Sequence, residues 1–564
     1  MKFIYKFLSN QQINSSVWIF FIFFTVTLIN INKAIHIDDT AYIEVAKGII
    51  ANPLHPMQFL VNWEGSYAPV SKINQPHLLS YLIVPFILLF KSNHVHFPIF
   101  LHLIIAIFSF FAIYFFYRLT VMFEVDKKHQ MFLTALFALG PAFIVNQNVM
   151  TDIPMLALSL ASVWSLKLAI TRDERLSLSL ALVLVIAAGI FCGFAILTKY
   201  TALVMIVVLS SLLLFSSRDY KKKWTWVIII PITMIVLWSL FNYYDYGHIH
   251  ILDRPRPQVS LYEIIFRRGK YWLAILGAIL PIGIIAIPYF FKNISYKSNF
   301  LFLILFISLP LLVYFEVISD RLNDKILSIL FLLNGISIFI LLIHSLKNIF
   351  RDYKKKDQQK LFLYIWFFAG MSFAILFSPF LATRHLLISL PPLLLILGLE
   401  IFPQINNFFL RGILVVTVFL GVTLGISDYY YADTSRKAVE IIKNKLHQHH
   451  IESGNTIWFV GHWGWQWYAS NANANFKHFD LKTSIPKSGD IFLIPYTDRI
   501  DKKKYNLTEI FVVDFYREKN LFALFTTALE WPIFYASKDL PWSFRKGGLL
   551  NRFEVYFYYA VSTN

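Results

Sequence analysis

The sequence predicts an all-α polytopic membrane protein, with about thirteen transmembrane helices and a small C-terminal α/β domain outside the bilayer. Three observations carry this. Of the 564 residues, 57% are hydrophobic and 15% are charged, where soluble domains carry about a quarter charged residues. Apolar runs near the roughly 20 residues needed to cross a bilayer recur almost to residue 430. Beyond that point the composition changes to an amphipathic stretch followed by strand-like runs. A transmembrane β-barrel would show short alternating segments instead.

The first span covers residues 17–35. Lys2 and Lys6 precede it and no small-residue cleavage site follows, so it reads as a retained helix with a cytoplasmic N-terminus. Residues 36–96 form a long outer segment. Its apolar piece at 78–90 is read as lying on the membrane, because a crossing there would flip every later loop and put the basic clusters on the wrong side. Span 2 (97–117) returns to Arg118, Lys127 and Lys128; span 3 (131–149) emerges at Asp152; span 4 (153–170) goes in to Arg172 and Arg175. Spans 5 and 6 meet outside at Lys199, and span 6 ends inside at Arg218 and the Lys221-Lys222-Lys223 cluster. Span 7 (224–243) leads to an outer loop at 244–270, and span 8 ends inside at Lys292 and Lys297. Spans 9 and 10 turn outside at Asp320 and Arg321, and the basic cluster at 347–360, with Lys354-Lys355-Lys356, lies inside. Span 11 emerges at 378–384, span 12 returns toward Arg411, and span 13 ends outside near Tyr430. Residues 1–430 are thus one transmembrane domain and 431–564 an outer domain. In the outer domain, 433–450 has the pattern of a surface helix, and 456–460, 491–495, 510–515 and 553–559 read as strands.

The net charge is +18, from 51 Lys and Arg against 33 Asp and Glu. The basic residues cluster between spans, which is the positive-inside pattern and argues against a nucleic-acid partner. The loop at 244–270 is the exception: Arg254, Arg256, Arg267, Arg268 and Lys270 face outward, which calls for an anionic headgroup. Cys192 is the single cysteine, so there is no disulfide framework and no thiolate metal site. His447, His449 and His450 have no carboxylate or Cys at ligand spacing, so no metal is assigned, and the sequence leaves a divalent requirement and any other cofactor open. Asn293-Ile294-Ser295 matches a glycosylation acceptor but falls on the inner side.

Acidic groups at membrane depth are costly unless they perform a function. Asp38 and Asp39 sit where the first span leaves the bilayer, and Asp152 leaves it on the same side after span 3. Asp39 can cap an outer helix starting near Thr40, and Asp152 can cap span 4 ahead of Pro154, yet a capping carboxylate can also face a site. Cations share that face: Lys72 and His77 flanking Asn74-Gln75-Pro76, Lys199 between spans 5 and 6, and Arg384 with His385 opening span 12. Snorkelling helix ends account for such residues as well. Sugar transfer to a hydroxyl or amine uses a carboxylate base, and a departing lipid phosphate needs positive partners. The stretch Gly461-His462-Trp463-Gly464-Trp465-Gln466-Trp467-Tyr468 offers flat aromatic faces for sugars or headgroups, or simply a packed helix start.

These residues resemble a family. Asp38-Asp39-Thr40-Ala41-Tyr42 through Ala46 is similar to the acidic Tyr…Ala motif of the GT-C glycosyltransferases, in particular glycosyltransferase family 39, the protein O-mannosyltransferase-like set and the aminoarabinose-transferase-like set. Asn74-Gln75-Pro76-His77-Leu78 resembles the segment that starts their juxtamembrane helix, and Met150-Thr151-Asp152-Ile153-Pro154 their second acidic loop. Leu197-Thr198-Lys199-Tyr200 and Arg384-His385-Leu386-Leu387 match recurrent positions. The chain departs from the pattern at Asp39, where Glu is usual, at His77, where a second Pro is usual, and at Gln75, where a basic residue is common.

The resemblance implies a polyprenyl-phosphate sugar donor, a lipid, glycan or protein acceptor, inversion, and an active site facing away from the cytosol. It makes Asp38 the catalytic acid, with Asp39 and Asp152 assisting. Lys72, His77, Lys199 and Arg384 would meet the donor phosphate, and Tyr42, Trp463 and Trp465 the acceptor or sugar. A transporter or flippase for an anionic lipid or sugar, and a scaffold presenting the outer domain, are the alternatives. A flippase would place ionisable groups deep within spans and show repeat symmetry, whereas here they sit at span ends on one face. The lone Cys and the missing processing signal point to a bacterial inner membrane.

Overall fold

A computed structural model describes residues 15–73, 75–90, 96–172, 178–215, 224–254, 260–283, 285, 321–351, 358–449, 455–472, 476–498, 500–518, 520–529, 532–536 and 540–559. Lys2, Lys6, Asn74, Arg175, Arg218, the basic clusters at 221–223 and 354–356, Arg256, the end of span 8 with Lys292, Asn293-Ile294-Ser295 and Lys297, span 9, Asp320 and His450 lie outside the described residues.

Among the described residues, seven helices are long and apolar enough to cross a membrane, and four shorter apolar helices accompany them. The chain is an integral membrane protein. Helix α1 (Ser15–Asn30) is followed by an outer helix α2 (Asp39–Ala51) and a small antiparallel hairpin, β1 (Leu60–Asn62) with β2 (Tyr67–Pro69). Helix α3 (Leu78–Phe90) packs against α2. Its 13 residues rise about 20 Å, short of the roughly 30 Å hydrocarbon core.

The sequence reading of one unbroken third span does not hold. Helix α4 (Phe97–Met122) leads to α5 (Lys127–Leu139), which stops at Gly140, and a single turn, α6 (Pro141–Ile144), follows. Pro141 has no N–H for the helix ladder and its ring displaces the preceding turn, so the break is local chemistry. Helices α7 (Asp152–Arg172) and α8 (Leu178–Thr198) pair closely, and α9 (Val204–Leu214), α10 (Trp226–Tyr246), α11 (His250–Asp253) and α12 (Gly269–Ile279) complete the first half. Helices α13 (Leu322–Arg351) and α14 (Gln358–Phe377) follow, then α15 (Leu390–Ile396), which loosens into a π and a 3₁₀ turn ending at Gln404.

A second correction concerns residues 407–448. A span ending near Tyr430 and a separate surface helix were expected; the structure has one helix of 42 residues, α16 (Asn407–Gln448). At 1.5 Å per residue it is about 63 Å long, roughly twice the hydrocarbon thickness. The boundary at residue 430 therefore falls inside a continuous helix.

The C-terminal domain, read from sequence as the outer domain, is built on the C-terminal half of α16. Strand β3 (Ile457–Phe459), helix α17 (Trp463–Ser470) and strand β4 (Phe476–His478) form a parallel crossover unit; β5 (Ile491–Pro495), β6 (Leu507–Tyr516) and, after the small pair β7 (Phe525–Thr526) and β8 (Ser543–Phe544), β9 (Leu549–Tyr558) complete the sheet. The sheet order is β4-β3-β5-β9-β6. All of β5 is buried, because Ala438, Val439, Ile442 and Leu446 of α16 cover one face and Phe479 and Tyr556 pack on the other. Between β7 and β8, Phe534, Tyr535, Leu540 and Trp542 turn back and join the core of the transmembrane bundle.

Candidate active site

The chain leaves α1 through Lys33-Ala34-Ile35-His36-Ile37 and enters α2 at Asp39. Ile37 has φ 45°, a conformation that costs a β-branched residue about 1–3 kcal/mol and survives only where its surroundings hold it. This turn puts Asp38 at the N-cap of α2, but its side chain makes no capping bond. It faces Arg384 instead, with Nη2 3.5 Å from Oδ2. Asp39 is fully buried, and its Oδ2 accepts the His36 backbone N–H at 2.9 Å.

Two adjacent acids thus have different environments. Burial raises the Asp38 carboxyl above its ordinary value, opposed first by Arg384 and then by His462. Burial holds Asp39 well above the carboxylate range, against the His36 N–H and Lys33. Asp38 keeps 18% of its side chain exposed and is the acid a substrate can reach.

Asp152 begins α7, and Lys199 follows the end of α8. Lys199 Nζ lies 2.5 Å from Asp152 Oδ1, with both side chains buried. Burial lowers the ammonium and Asp152 pulls it back up. Arg384 sits in a 3₁₀ turn (Thr383–Leu386), 5.5 Å over the Phe380 ring, and its buried Nη1 has no hydrogen-bond partner among the described residues. Arg254 lies over the rings of Tyr200 (6.0 Å) and Phe373 (5.9 Å), with its Nε unpartnered among the described residues. The buried His385 imidazole is pushed well below its usual value by burial and by Lys199, Arg384, Arg254 and Arg268. Arg268 is committed to backbone carbonyls, donating to Ile375 O at 2.6 Å and Ser378 O at 2.5 Å. Lys199, Arg384 and Arg254 thus gather around His385, and the first two also bear on Asp38. Unpartnered guanidinium N–H groups there suit a phosphate.

The structure brings together Asp38, Asp152, Lys199 and Arg384, with Tyr42 beside them, its hydroxyl 3.5 Å from Thr151 Oγ1. It leaves three expected residues apart. Lys72 is exposed at the end of a 3₁₀ turn (Val70–Lys72). His77 is buried, with burial and His250 lowering it to about 3, so it is uncharged. Its ring packs 5.9 Å from Trp238 and 6.3 Å from His250, in a network where Tyr200 bonds His250 Nδ1 at 2.9 Å and Trp238 Nε1 donates to Tyr200 at 3.0 Å. Gln75 accepts the Tyr200 N–H at 3.3 Å, so this segment braces the turn that carries Lys199. Trp465 is buried in the outer core, 4.8 Å from Phe553, with Nε1 donating to Val460 O. Trp463 does reach the membrane domain: its carbonyl accepts from Thr40 Oγ1 at 2.7 Å. Among the described residues no group of three or more His, Cys, Asp or Glu is placed to hold a metal ion.

Arg254 was visible in sequence only as one of several outward-facing cations. His462, which bears on Asp38, lay in a stretch read for its aromatic rings.

Residues 74–241 match the family model described as dolichyl-phosphate-mannose-protein mannosyltransferase. That match supports the resemblance to the GT-C glycosyltransferases, and it spans Lys199 and Asp152. Among curated proteins none matches the chain. Among solved structures, the Archaeoglobus fulgidus oligosaccharyltransferase in its apo form shares 12% identity at a TM-score of 0.49, over 83% of this chain and 64% of that one. ArnT from Cupriavidus metallidurans in the apo state shares 11% at a TM-score of 0.40, over 85% and 92%. The Saccharomyces cerevisiae protein O-mannosyltransferase Pmt1-Pmt2 complex bound to the sugar donor shares 13% at 0.32, over 44% and 36%. This chain spans about 64% of the length of the oligosaccharyltransferase it matches.

Proposed function

We propose that the chain is an integral membrane glycosyltransferase that moves a sugar from a polyprenyl-phosphate-linked donor to an acceptor outside the cytosol, with inversion. The carrying observation is one reachable carboxylate, Asp38, 3.5 Å from an arginine whose Nη1 has no partner among the described residues, beside the buried Lys199–Asp152 pair. The family matched over 74–241, whose name describes sugar transfer from a lipid phosphate, supports the donor class.

In this reading the acceptor O–H or N–H loses its proton to Asp38 as the heteroatom attacks the anomeric carbon. The bond from that carbon to the phosphate oxygen breaks, and the lipid phosphate leaves with the electron pair. Arg384, Lys199 and Arg254 stabilise the charge that gathers on it. Asp152 holds Lys199 in place rather than acting as a second base. The site faces the headgroup layer at the outer ends of the spans, with the N-terminus in the cytoplasm of a bacterial inner membrane.

Mass spectrometry of cell-envelope glycans and glycoproteins, with and without the chain, tests this. A sugar residue present only with the chain is the expected result, and Asp38→Asn should abolish it while still inserting in the membrane. An Asp38→Asn protein that restores the sugar in full refutes the assignment.

A further inference from the structure

The segment Gly461-His462-Trp463-Gly464 joins β3 to α17 and is pressed between three parts of the molecule. Gly461 has φ 100°, and a Cβ there would collide with the Asp498 carboxylate. A Cβ on Gly464 would collide with the Ile35 carbonyl at the exit of the first span. Asn62 of the first outer hairpin donates to Gly461 O at 3.0 Å, and Thr40 holds the Trp463 carbonyl at 2.7 Å. The Ile35 and Thr40 contacts tie the outer domain to the turn that presents Asp38.

His462 stands at the centre of this seam. Its Nδ1 lies 3.3 Å from Asp498 Oδ1, an ion-pair distance without hydrogen-bond alignment, and this buried Nδ1 has no hydrogen-bond partner among the described residues. The ring keeps 15% of its surface exposed and lines a small polar cleft with Ile37, Tyr431, Ser435, Trp463 and Asn551. The backbones at Ile37 and Trp463, on the two sides of that cleft, are both left-handed, at φ 45° and 64°. Strain of this kind persists where the surrounding structure over-determines it and collects at functional sites. His462 is close enough to Asp38 to bear on its carboxyl group. The transfer chemistry above uses neither His462 nor Asp498.

We propose that His462, oriented by Asp498, is an acceptor-binding residue, and that the acceptor enters through the cleft between the outer domain and the turn at Asp38. This rests on the glycosyl-transfer reading and adds the side from which the nucleophile arrives. The ring offers a hydrogen bond to the acceptor hydroxyl or amine, which turns its proton toward Asp38. The donor phosphate sits on the opposite side, against Arg384, Lys199 and Arg254.

The test restores cells lacking the chain with wild type, Asp38→Asn, His462→Ala, His462→Gln, Asp498→Asn or Arg384→Ala, and measures the envelope sugar by mass spectrometry. The purified proteins are assayed for melting temperature and for binding of undecaprenyl phosphate. His462→Ala is expected to lower the sugar about tenfold, the loss of one hydrogen bond at a reacting group, with melting temperature and undecaprenyl phosphate binding unchanged. Arg384→Ala should lose undecaprenyl phosphate binding. If His462→Ala does not fold, His462→Gln and Asp498→Asn decide, with a partial loss of the sugar expected from each. Full sugar from the folded His462 variants, with none from Asp38→Asn, overturns the acceptor role. A loss of undecaprenyl phosphate binding in the His462 variants also overturns it. No sugar difference between cells with and without the chain overturns the transferase reading, and this inference with it.

Discussion

Asp39→Asn should retain near-wild-type transfer, in contrast to Asp38→Asn, although the two acids are neighbours. Asp39 is fully buried, and its contact with the His36 N–H needs only an acceptor oxygen, which Asn supplies. Its folded carboxyl is held well above the ordinary range. The stability that this shift contributes is complete below the unfolded value of about 3.9 and is lost as pH rises through the folded value. The Asn variant has no such loss, so its melting temperature relative to wild type should increase with pH. A flat difference across pH would show Asp39 to be ionised in place. Asp38 has the opposite requirement in the proposed transfer, where it must be charged to take a proton. With burial raising its carboxyl, the acid limb of the transfer rate should lie above the ordinary carboxylate value of about 3.9. The charges that bear on it are Arg384, His462, Asp152 and Lys199. Arg384 lowers the carboxyl, so Arg384→Gln should move the acid limb to higher pH, beyond any fall in rate; an unmoved limb would detach Arg384 from Asp38. The polar heart of this site was legible, because a charge at a span end is costly and therefore informative at Asp38, Asp152, Lys199 and Arg384. The state of His77 was not, since burial, which sequence does not show, is what leaves it uncharged.

Helix α16 shows how far element-level reading reaches. Its apolar stretch ends near Tyr430, where the sequence turns amphipathic. The backbone hydrogen bonds that define a helix are indifferent to that change, so the helix runs on to Gln448. The strands were easier, because alternation and β-branched content act locally: β5 matches 491–495, while β6 extends three residues earlier than expected. The two-residue strands β7 and β8 and the hairpin β1–β2 are too short to leave a pattern. What fixes α16 against α1 is also invisible in either segment alone. Lys33 pairs with Asp428 of α16 across a fully buried contact, and its Nζ also donates to Asn148 Oδ1 at 2.6 Å. The Tyr535 hydroxyl donates to Asp428 at 2.6 Å. Asp428→Asn leaves Lys33 buried without its counter-charge, which costs about 3–5 kcal/mol. The melting temperature in detergent should fall accordingly, and the double replacement Lys33→Met with Asp428→Leu should recover most of it. A single variant as stable as wild type would mean that the packing of α1 and α16 holds without the pair.

At the scale of the whole molecule, the outer domain is joined to the bundle by more than α16. Trp467 stacks on Phe97 with centroids 5.6 Å apart, and Lys47 lies 4.9 Å over the same indole. The Trp542 indole donates to Ala278 O at 2.9 Å. Arg545 grips Asp324 of α13 through two bonds, at 2.7 and 2.6 Å, and Ser543 adds a third at 2.5 Å. These contacts make the two halves one cooperative structure, so removing 431–564 would strip the lining of α1, α12 and α13 along with the cleft. Lost activity in that truncation would report lost folding, and a single side chain is the sharper probe. Arg545→Ala removes the counter-charge that grips the Asp324 carboxylate, which is buried to 0% exposure, and the cost falls on the joint between the halves. Calorimetry of the wild-type protein should therefore show one transition. Arg545→Ala should split it, with the outer sheet, followed by tryptophan fluorescence, melting before the helices. A variant that still melts in one step at an unchanged temperature would mean that α16 alone couples the halves, and it would place the geometry of the Asp38 cleft under the control of that one helix.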